Sequence, residues 1–143
     1  MDEIDLKLLR LLQKNARTPI KALAGEVRLS SPAVSARIER LEKQGVIRAY
    51  TLDLDPLQLG HHILAYIHLD MQPTQKAEFY PYIESCPHVV ECNCVTGNYS
   101  MLIKVSFAST QELDGFIGRL QKFGKTETQI VFSSPVPPRA IVV

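Results

Sequence analysis

The sequence predicts an α+β chain: a winged helix-turn-helix over residues 1–55, a linker over 56–62, and a ferredoxin-like βαββαβ domain over 63–143. Three observations predict it. Apolar residues recur at helical spacing in three successive runs up to Gln44, with helix-start signals between them. From Ile63 the pattern changes to alternation, and strand-like and helix-like stretches follow in the order β-α-β-β-α-β. The charge is uneven. Between Lys14 and Arg48 stand eight Lys/Arg and three acids, a local +5, whereas from Pro56 onward six basic residues meet seven acids.

Each element has a local reason. Ile4, Leu8, Leu11 and Leu12 form one apolar stripe, and Asp2, Glu3 and Asp5 suit the positive end of that helix. Asn15-Ala16-Arg17 ends it. Thr18-Pro19 opens a second helix, with Thr18 as N-cap and Pro19 at the first helical position. Ile20, Leu23, Ala24 and Val27 are its inner face, and it stops near Arg28. Ser30-Ser31-Pro32 repeats the start signal. The third helix runs to about Gln44, with Val34, Ile38 and Leu41 inward and Gly45 as its stop. Val46–Leu54 has strand composition and supplies the wing, and Asp55-Pro56 breaks it.

In the second part, Ile63, Ala65, Ile67, Leu69 and Met71 alternate with Leu64, Tyr66, His68 and Asp70, a half-buried strand. Pro73 to Ser85 reads as helix, anchored by Phe79, Tyr82 and Ile83. Val89–Val95 is a second strand, with Val90, Cys92 and Cys94 on one face. Gly97-Asn98 is a tight turn into a third strand, Tyr99–Phe107. Ser109 caps a helix with Leu113, Phe116, Ile117 and Leu120 inward, and Thr126–Phe132 is the fourth strand. The prolines of the tail, Pro135, Pro137 and Pro138, keep it extended.

Composition excludes several classes. A chain of 143 residues that is 45% hydrophobic and 22% charged has a core to bury and is not a disordered protein. No apolar run reaches the ~18 residues of a membrane span, so no membrane partner is expected. The acidic N-terminus is unlike a secretory signal. Three cysteines, Cys86, Cys92 and Cys94, fit no disulfide framework and point to a reducing, cytoplasmic compartment. Cys92 and Cys94 read as core residues, and the four histidines have no metal-ligand spacing. Phosphate-binding loops, serine-hydrolase elbows and zinc-protease motifs are absent, so no metal, cofactor or catalytic residue is expected.

The third helix carries the binding chemistry. An α-helix fits the major groove, and the preceding helix braces it across the backbone. Ile38 and Leu41 fall within about 40° of Val34 on a helical wheel, which turns Ser35, Ala36, Arg40 and Lys43 outward. Ser31, Ala33 and Arg37 lie near the front or the flanks. Small residues at the front let the helix sink into the groove, and Arg40 and Lys43 sit further back, where phosphates are met. These seven are the candidate contacts to double-stranded DNA.

The stretches Ile4-Asp5, Leu8-Leu9, Leu12, Asn15-Ala16-Arg17, Leu29-Ser30-Ser31-Pro32-Ala33-Val34, Arg37-Ile38, Leu41-Glu42 and Gly45-Val46-Ile47 resemble the Lrp/AsnC (feast/famine) family of transcription regulators. Val95-Thr96-Gly97-Asn98-Tyr99-Ser100 resembles that family's amino-acid-binding domain. The resemblance implies that the bare faces of two sheets, read as apolar, meet in a dimer. It implies that dimers build tetramers or octamers, with a small-molecule site between them. At the matching positions stand Gly97, Asn98, Tyr99 and Ser100, with Thr126 and Thr128. Gly97 allows close approach of backbone N–H groups to a carboxylate, and the two threonines offer hydroxyls on one side of a strand. Ser100 departs from the acidic residue the family places there, so the charge that would meet a ligand ammonium is missing. The alternative on this architecture is an enzyme resembling the sirohaem-type decarboxylases, with His61, His62, His68 and His88 toward a tetrapyrrole.

Overall fold

The structure is a computed structural model and describes residues 1–143. The chain forms two compact units, residues 1–53 with 137–143 and residues 54–136. This partition differs from the sequence division in two places. The expected linker 56–62 lies inside the second unit, where Pro56–Gly60 fold into a turn closed by the His61 N–H on the Pro56 carbonyl. Residues 137–143 return to the first unit, where Arg10 donates to the Val143 carbonyl and Gln13 to that of Ile141.

The first unit holds helices α1 (Glu3–Lys14), α2 (Ile20–Val27) and α3 (Ser31–Lys43). Leu8, Leu23, Ala24, Val27, Val34 and Ile38 form its core, flanked by Ile4, Leu11, Leu12, Ile20, Leu29 and Ile47. The apolar stripes read from the sequence are this core. Asp2 caps α1 through a reciprocal box with Asp5. The start of α2 differs from expectation. Pro19, not Thr18, is the N-cap, because the Thr18 hydroxyl donates backward to the Asn15 carbonyl at 2.7 Å. Ser30 caps α3 as expected, accepting from the Ala33 N–H.

The predicted strand Val46–Leu54 does not form, and the first unit has no wing within the single chain. Strand composition cannot make a strand without a partner edge, and the chain offers none here. The Val46 and Ile47 N–H groups close the end of α3 on the Leu41 carbonyl, and the Tyr50 hydroxyl donates to Glu42. Leu52 and Leu54 are left exposed.

The second unit contains β1 (Ile63–Met71), a 3₁₀ turn (Pro73–Gln75) leading into α4 (Lys76–Glu84), β2 (Val89–Cys94), β3 (Met101–Phe107), α5 (Thr110–Leu120) and β4 (Gly124–Ile130). The sheet is antiparallel in the order β2-β3-β1-β4, the ferredoxin-like arrangement. One face of β1 and β3 packs with Phe79, Ile83, Leu113, Phe116 and Leu120 of the two helices. Cross-strand register assigns the faces. Thr126 stands opposite Leu69 and Thr128 opposite Ile67, on the helix-covered side, while Glu127 stands opposite His68 on the bare side.

Three strand details differ from the sequence reading. A bulge between Val89 and Glu91 breaks the alternation, so Val90 is exposed. Cys92 and Cys94 stand opposite Ile103 and Met101, but Cys92 is half-buried and Cys94 exposed, so the pair is not in the core as expected. Tyr99 belongs to the loop, not to β3, and the loop is closed by the Val95 N–H on the Ser100 carbonyl. The bare face is mixed, not apolar: Leu64, Tyr66 and Leu102 share it with His68, Lys104, Glu91 and Glu127. Gly124 marks the tightest approach, since a Cβ there would lie 1.8 Å from the Asp70 carbonyl oxygen.

Candidate nucleic-acid interface and effector site

The outer surface of α3 is built as the spacing predicts. Val34, Ile38 and Leu41 are buried, Ser31, Ala36, Arg40 and Lys43 are exposed, and Ala33, Ser35 and Arg37 are half-buried. The turn into α3 is set by Arg28, the one non-glycine residue with positive φ, at φ 56° and ψ 44°. Its N–H and that of Leu29 return to the last carbonyls of α2, which closes the helix and redirects the chain.

The two arginines of α3 do not simply face solvent. Arg37 Nη1 lies 2.9 and 2.7 Å from the carboxylate oxygens of Asp2 and 2.8 Å from Asp5 Oδ1. Arg40 Nη2 lies 2.7 Å from Asp5 Oδ2. Asp5 is completely buried. A buried carboxylate is costly unless its charge and lone pairs are met, and here two guanidinium groups and the Asp2 N–H meet them. Burial alone would raise the Asp5 carboxyl; the Arg37 bond, the Asp2 N–H and the Arg40 charge outweigh it and hold the group below its ordinary value. The Asp5 N–H, followed by Arg37, holds the Asp2 carboxyl at about 2.

This cluster is the part of the site that sequence reasoning missed. Asp2 and Asp5 read as partners of a helix dipole. The available signal was the pair of acids three residues apart on α1 and the pair of arginines three residues apart on α3, each placing its charges on one face.

At the loop after β2, Gly97 has φ 110°, and Gly97 and Asn98 are exposed. The Ser100 hydroxyl accepts from the Met71 N–H at 2.9 Å and lies 3.1 Å from the Leu69 carbonyl. Serine therefore ties the loop to the end of β1. The Tyr99 hydroxyl donates to Glu127 at 2.6 Å, which raises the phenol's pKa, and the Tyr99 ring packs on His68 with centroids 5.2 Å apart. The structure thus groups Tyr99 with Glu127 and His68 on the bare face. Within one chain it leaves Thr126 and Thr128 on the opposite face.

The histidines fall in separate places, two of them together. His88 stacks on Phe107 at 4.6 Å with His61 at 6.0 Å, whereas His68 is with Tyr99. Burial, and then the neighbouring Cys94, pushes the Cys92 thiol up to about 11.

The pattern described as winged helix-turn-helix DNA-binding matches residues 1–48, and the Lrp/AsnC ligand binding domain matches residues 64–141. The chain belongs to the Lrp/AsnC family. Among curated Lrp/AsnC relatives, the uncharacterized HTH-type transcriptional regulator YezC of Bacillus subtilis is 36% identical, covering 94% of this chain and 95% of that protein. The HTH-type transcriptional regulator FL11 of Pyrococcus furiosus is 31% identical, covering 92% and 89%. The solved structure of B. subtilis LrpC superposes with a TM-score of 0.88 at 28% identity, covering 94% of this chain and 96% of that one. Escherichia coli AsnC gives 0.87 at 29% identity over 100% and 99%. NMB0573 of Neisseria meningitidis, solved with L-Met, has the same fold, with a TM-score of 0.89 at 22% identity over 97% and 94%. This Lrp/AsnC protein therefore pairs a DNA-binding helix-turn-helix with a ligand-binding domain, as transcriptional regulators of its family do. No helix is long and apolar enough to cross a membrane.

Proposed function

We propose that the protein regulates transcription in the cytoplasm by placing α3 in the major groove of double-stranded DNA, and that a small amino acid modulates it. The observation that carries the DNA reading is the outer face of α3. Ser31, Ala33, Ser35 and Ala36 give it a small front, with Arg40 and Lys43 behind. Arg37, also in the expected set, has its Nη1 occupied by Asp2 and Asp5, so it fastens α3 to α1 and has its other N–H groups for DNA.

Support for the effector comes from the ligand-binding domain match and from the L-Met complex of the meningococcal relative. Gly97, Asn98, Tyr99 and Ser100 form one loop. Thr126 and Thr128 face the other side of the sheet, so a site using all six is completed by a second copy of the chain. Glu127 supplies a carboxylate beside the loop where Ser100 supplies none. A ligand bound between copies acts through its different affinity for two assembly states.

Calorimetry against the twenty amino acids tests this reading. One or a few should bind in the millimolar range or tighter and shift DNA affinity or assembly. Gly97→Trp should abolish that binding and spare DNA binding. Silence from all twenty would remove the amino-acid effector and leave the DNA-binding role standing. His61 and His88 lie together while His68 lies with Tyr99, which speaks against one tetrapyrrole site shared by all of them, and a colourless purified protein is expected.

A further inference from the structure

We propose that Asp5 is a positioning residue for DNA contact: it holds one edge of the Arg40 guanidinium so that the other edge is presented to the phosphate backbone. The inference rests on the DNA-binding reading of α3.

The cations of α3 stand at every third residue, Arg37, Arg40 and Lys43, and each steps about 60° around the helix from the last. The first is turned inward, its Nη1 shared between Asp2 and Asp5. The last is exposed and has no ion-pair partner. Arg40 stands between them. Its Nη2 is held by Asp5, yet its side chain remains 47% exposed. A guanidinium carries five N–H donors in one rigid plane. Fixing one of them fixes the direction of all.

Asp5 shares its carboxylate among three donors, and Arg40 takes one oxygen. Its Oδ1 accepts from Arg37, and its Oδ2 also accepts from the Asp2 N–H at 3.1 Å. The Arg40 bond serves both partners: it helps offset the burial of Asp5, and it fixes the Arg40 guanidinium. A long side chain ordered before binding loses less freedom when it meets a phosphate. Asp5 itself is buried and paired with two guanidinium groups, so it sets the direction of Arg40 without facing the DNA. A lysine would do both tasks less well. Its three donors radiate from one rotatable nitrogen, so holding one of them on Asp5 aims no separate edge at a phosphate, whereas the planar fork has two edges fixed to each other.

The test is fluorescence anisotropy on a duplex that the wild type selects from a random pool, repeated over several salt concentrations. Arg40→Ala should weaken binding about tenfold on specific and unrelated duplexes alike and reduce the salt slope by about one. Arg40→Lys should recover only a minor part of that loss. Asp5→Asn should weaken binding several-fold in the wild type and have a much smaller effect in an Arg40→Ala background, after correction for folded fraction by amide NMR. Arg40→Lys and the Arg40 side-chain N–H resonances keep the proposal open to refutation if Asp5→Asn unfolds. Those resonances should be resolved in the free wild-type protein, and fast averaging there would overturn the proposal. An unchanged salt slope for Arg40→Ala would also overturn it, as would full rescue by Arg40→Lys, or an Asp5→Asn loss that is equal in both backgrounds. A wild type that selects no duplex would overturn the DNA reading itself, and this proposal with it.

Discussion

The Arg37 guanidinium lies 2.8 Å from Asp5 and 2.7 Å from Asp2, so one side chain of α3 ties both acids at the start of α1. The helix read as the DNA-binding element is thus fastened to α1 by ion pairs at its flank, beside the apolar contacts of Val34 and Ile38 with the core.

That fastening has a pH dependence. Asp2 is held at about 2 in the folded chain against an ordinary 3.8, and Asp5 is shifted in the same direction. Unfolding at low pH therefore takes up protons, and the stabilisation is complete above the ordinary carboxylate range. It is lost as pH falls from about 4 toward about 2. Amide resonances of α1 and α3, followed through thermal unfolding at about pH 5 and about pH 2.5, should show a lower midpoint in acid. Asp2→Asn should shrink the difference; equal midpoints in the wild type would contradict the account.

The caps of the two binding helices should differ in worth. Ser30→Ala removes the side-chain acceptor for the Ala33 N–H and should cost about 1 kcal/mol in thermal unfolding. Thr18→Ala should cost less, because the Thr18 hydroxyl donates to the Asn15 carbonyl and caps no helix. Equal losses would mean that Thr18 has the capping role the sequence suggested.

Gly124→Ala should be among the most damaging single changes in the second unit. The added methyl would lie 1.8 Å from the Asp70 carbonyl oxygen, a backbone atom at the end of β1 that cannot turn aside. A loss of several kcal/mol in denaturant unfolding is expected, of the size of other core disruptions. Gly118→Ala, where a Cβ meets nothing within 4 Å, serves as the tolerated control.

Ser100→Ala should loosen the effector loop. It leaves the Met71 N–H without its side-chain acceptor and should cost about 1–3 kcal/mol, the range for a partner removed from a buried donor. Hydrogen exchange should rise at Met71 and Ser100. Unchanged protection at both would show that the loop holds without the hydroxyl.

Residues 54–136 should associate without the first unit. The mixed bare face, with Leu64, Tyr66 and Leu102 among polar residues, and the exposed Ile130 and Phe132 motivate this. A folded fragment that stays monomeric in light scattering would contradict it.

The helices and the βαββαβ order were legible because periodicity reports burial directly: Leu8, Val34 and Ile67 are inside for the reason their spacing suggests. Val46–Leu54 was misread because strand composition measures fitness for a sheet and says nothing of a partner edge. The Val90 exposure follows from a bulge, which changes face without changing composition. On α3, spacing identified which residues point outward. It could not show that Asp2 and Asp5, some thirty positions earlier in the chain, hold Arg37 and Arg40. Ser100 read as the loss of a charge; in the structure it is the stitch between the loop and β1, and Glu127 brings a carboxylate to Tyr99 from a distant strand.

The central claim, that this Lrp/AsnC protein acts through sequence-specific binding of DNA by α3, is tested most directly by selecting duplexes from a random pool with the full-length protein. The selection is run with and without mixed amino acids. The account predicts enrichment of an imperfect palindrome whose half-sites lie about one helical turn, or a multiple of it, apart. It also predicts that Ser35 and Ala36 replaced together by glutamate abolish the enrichment. No enriched sequence, or enrichment that survives those replacements on α3, would contradict it.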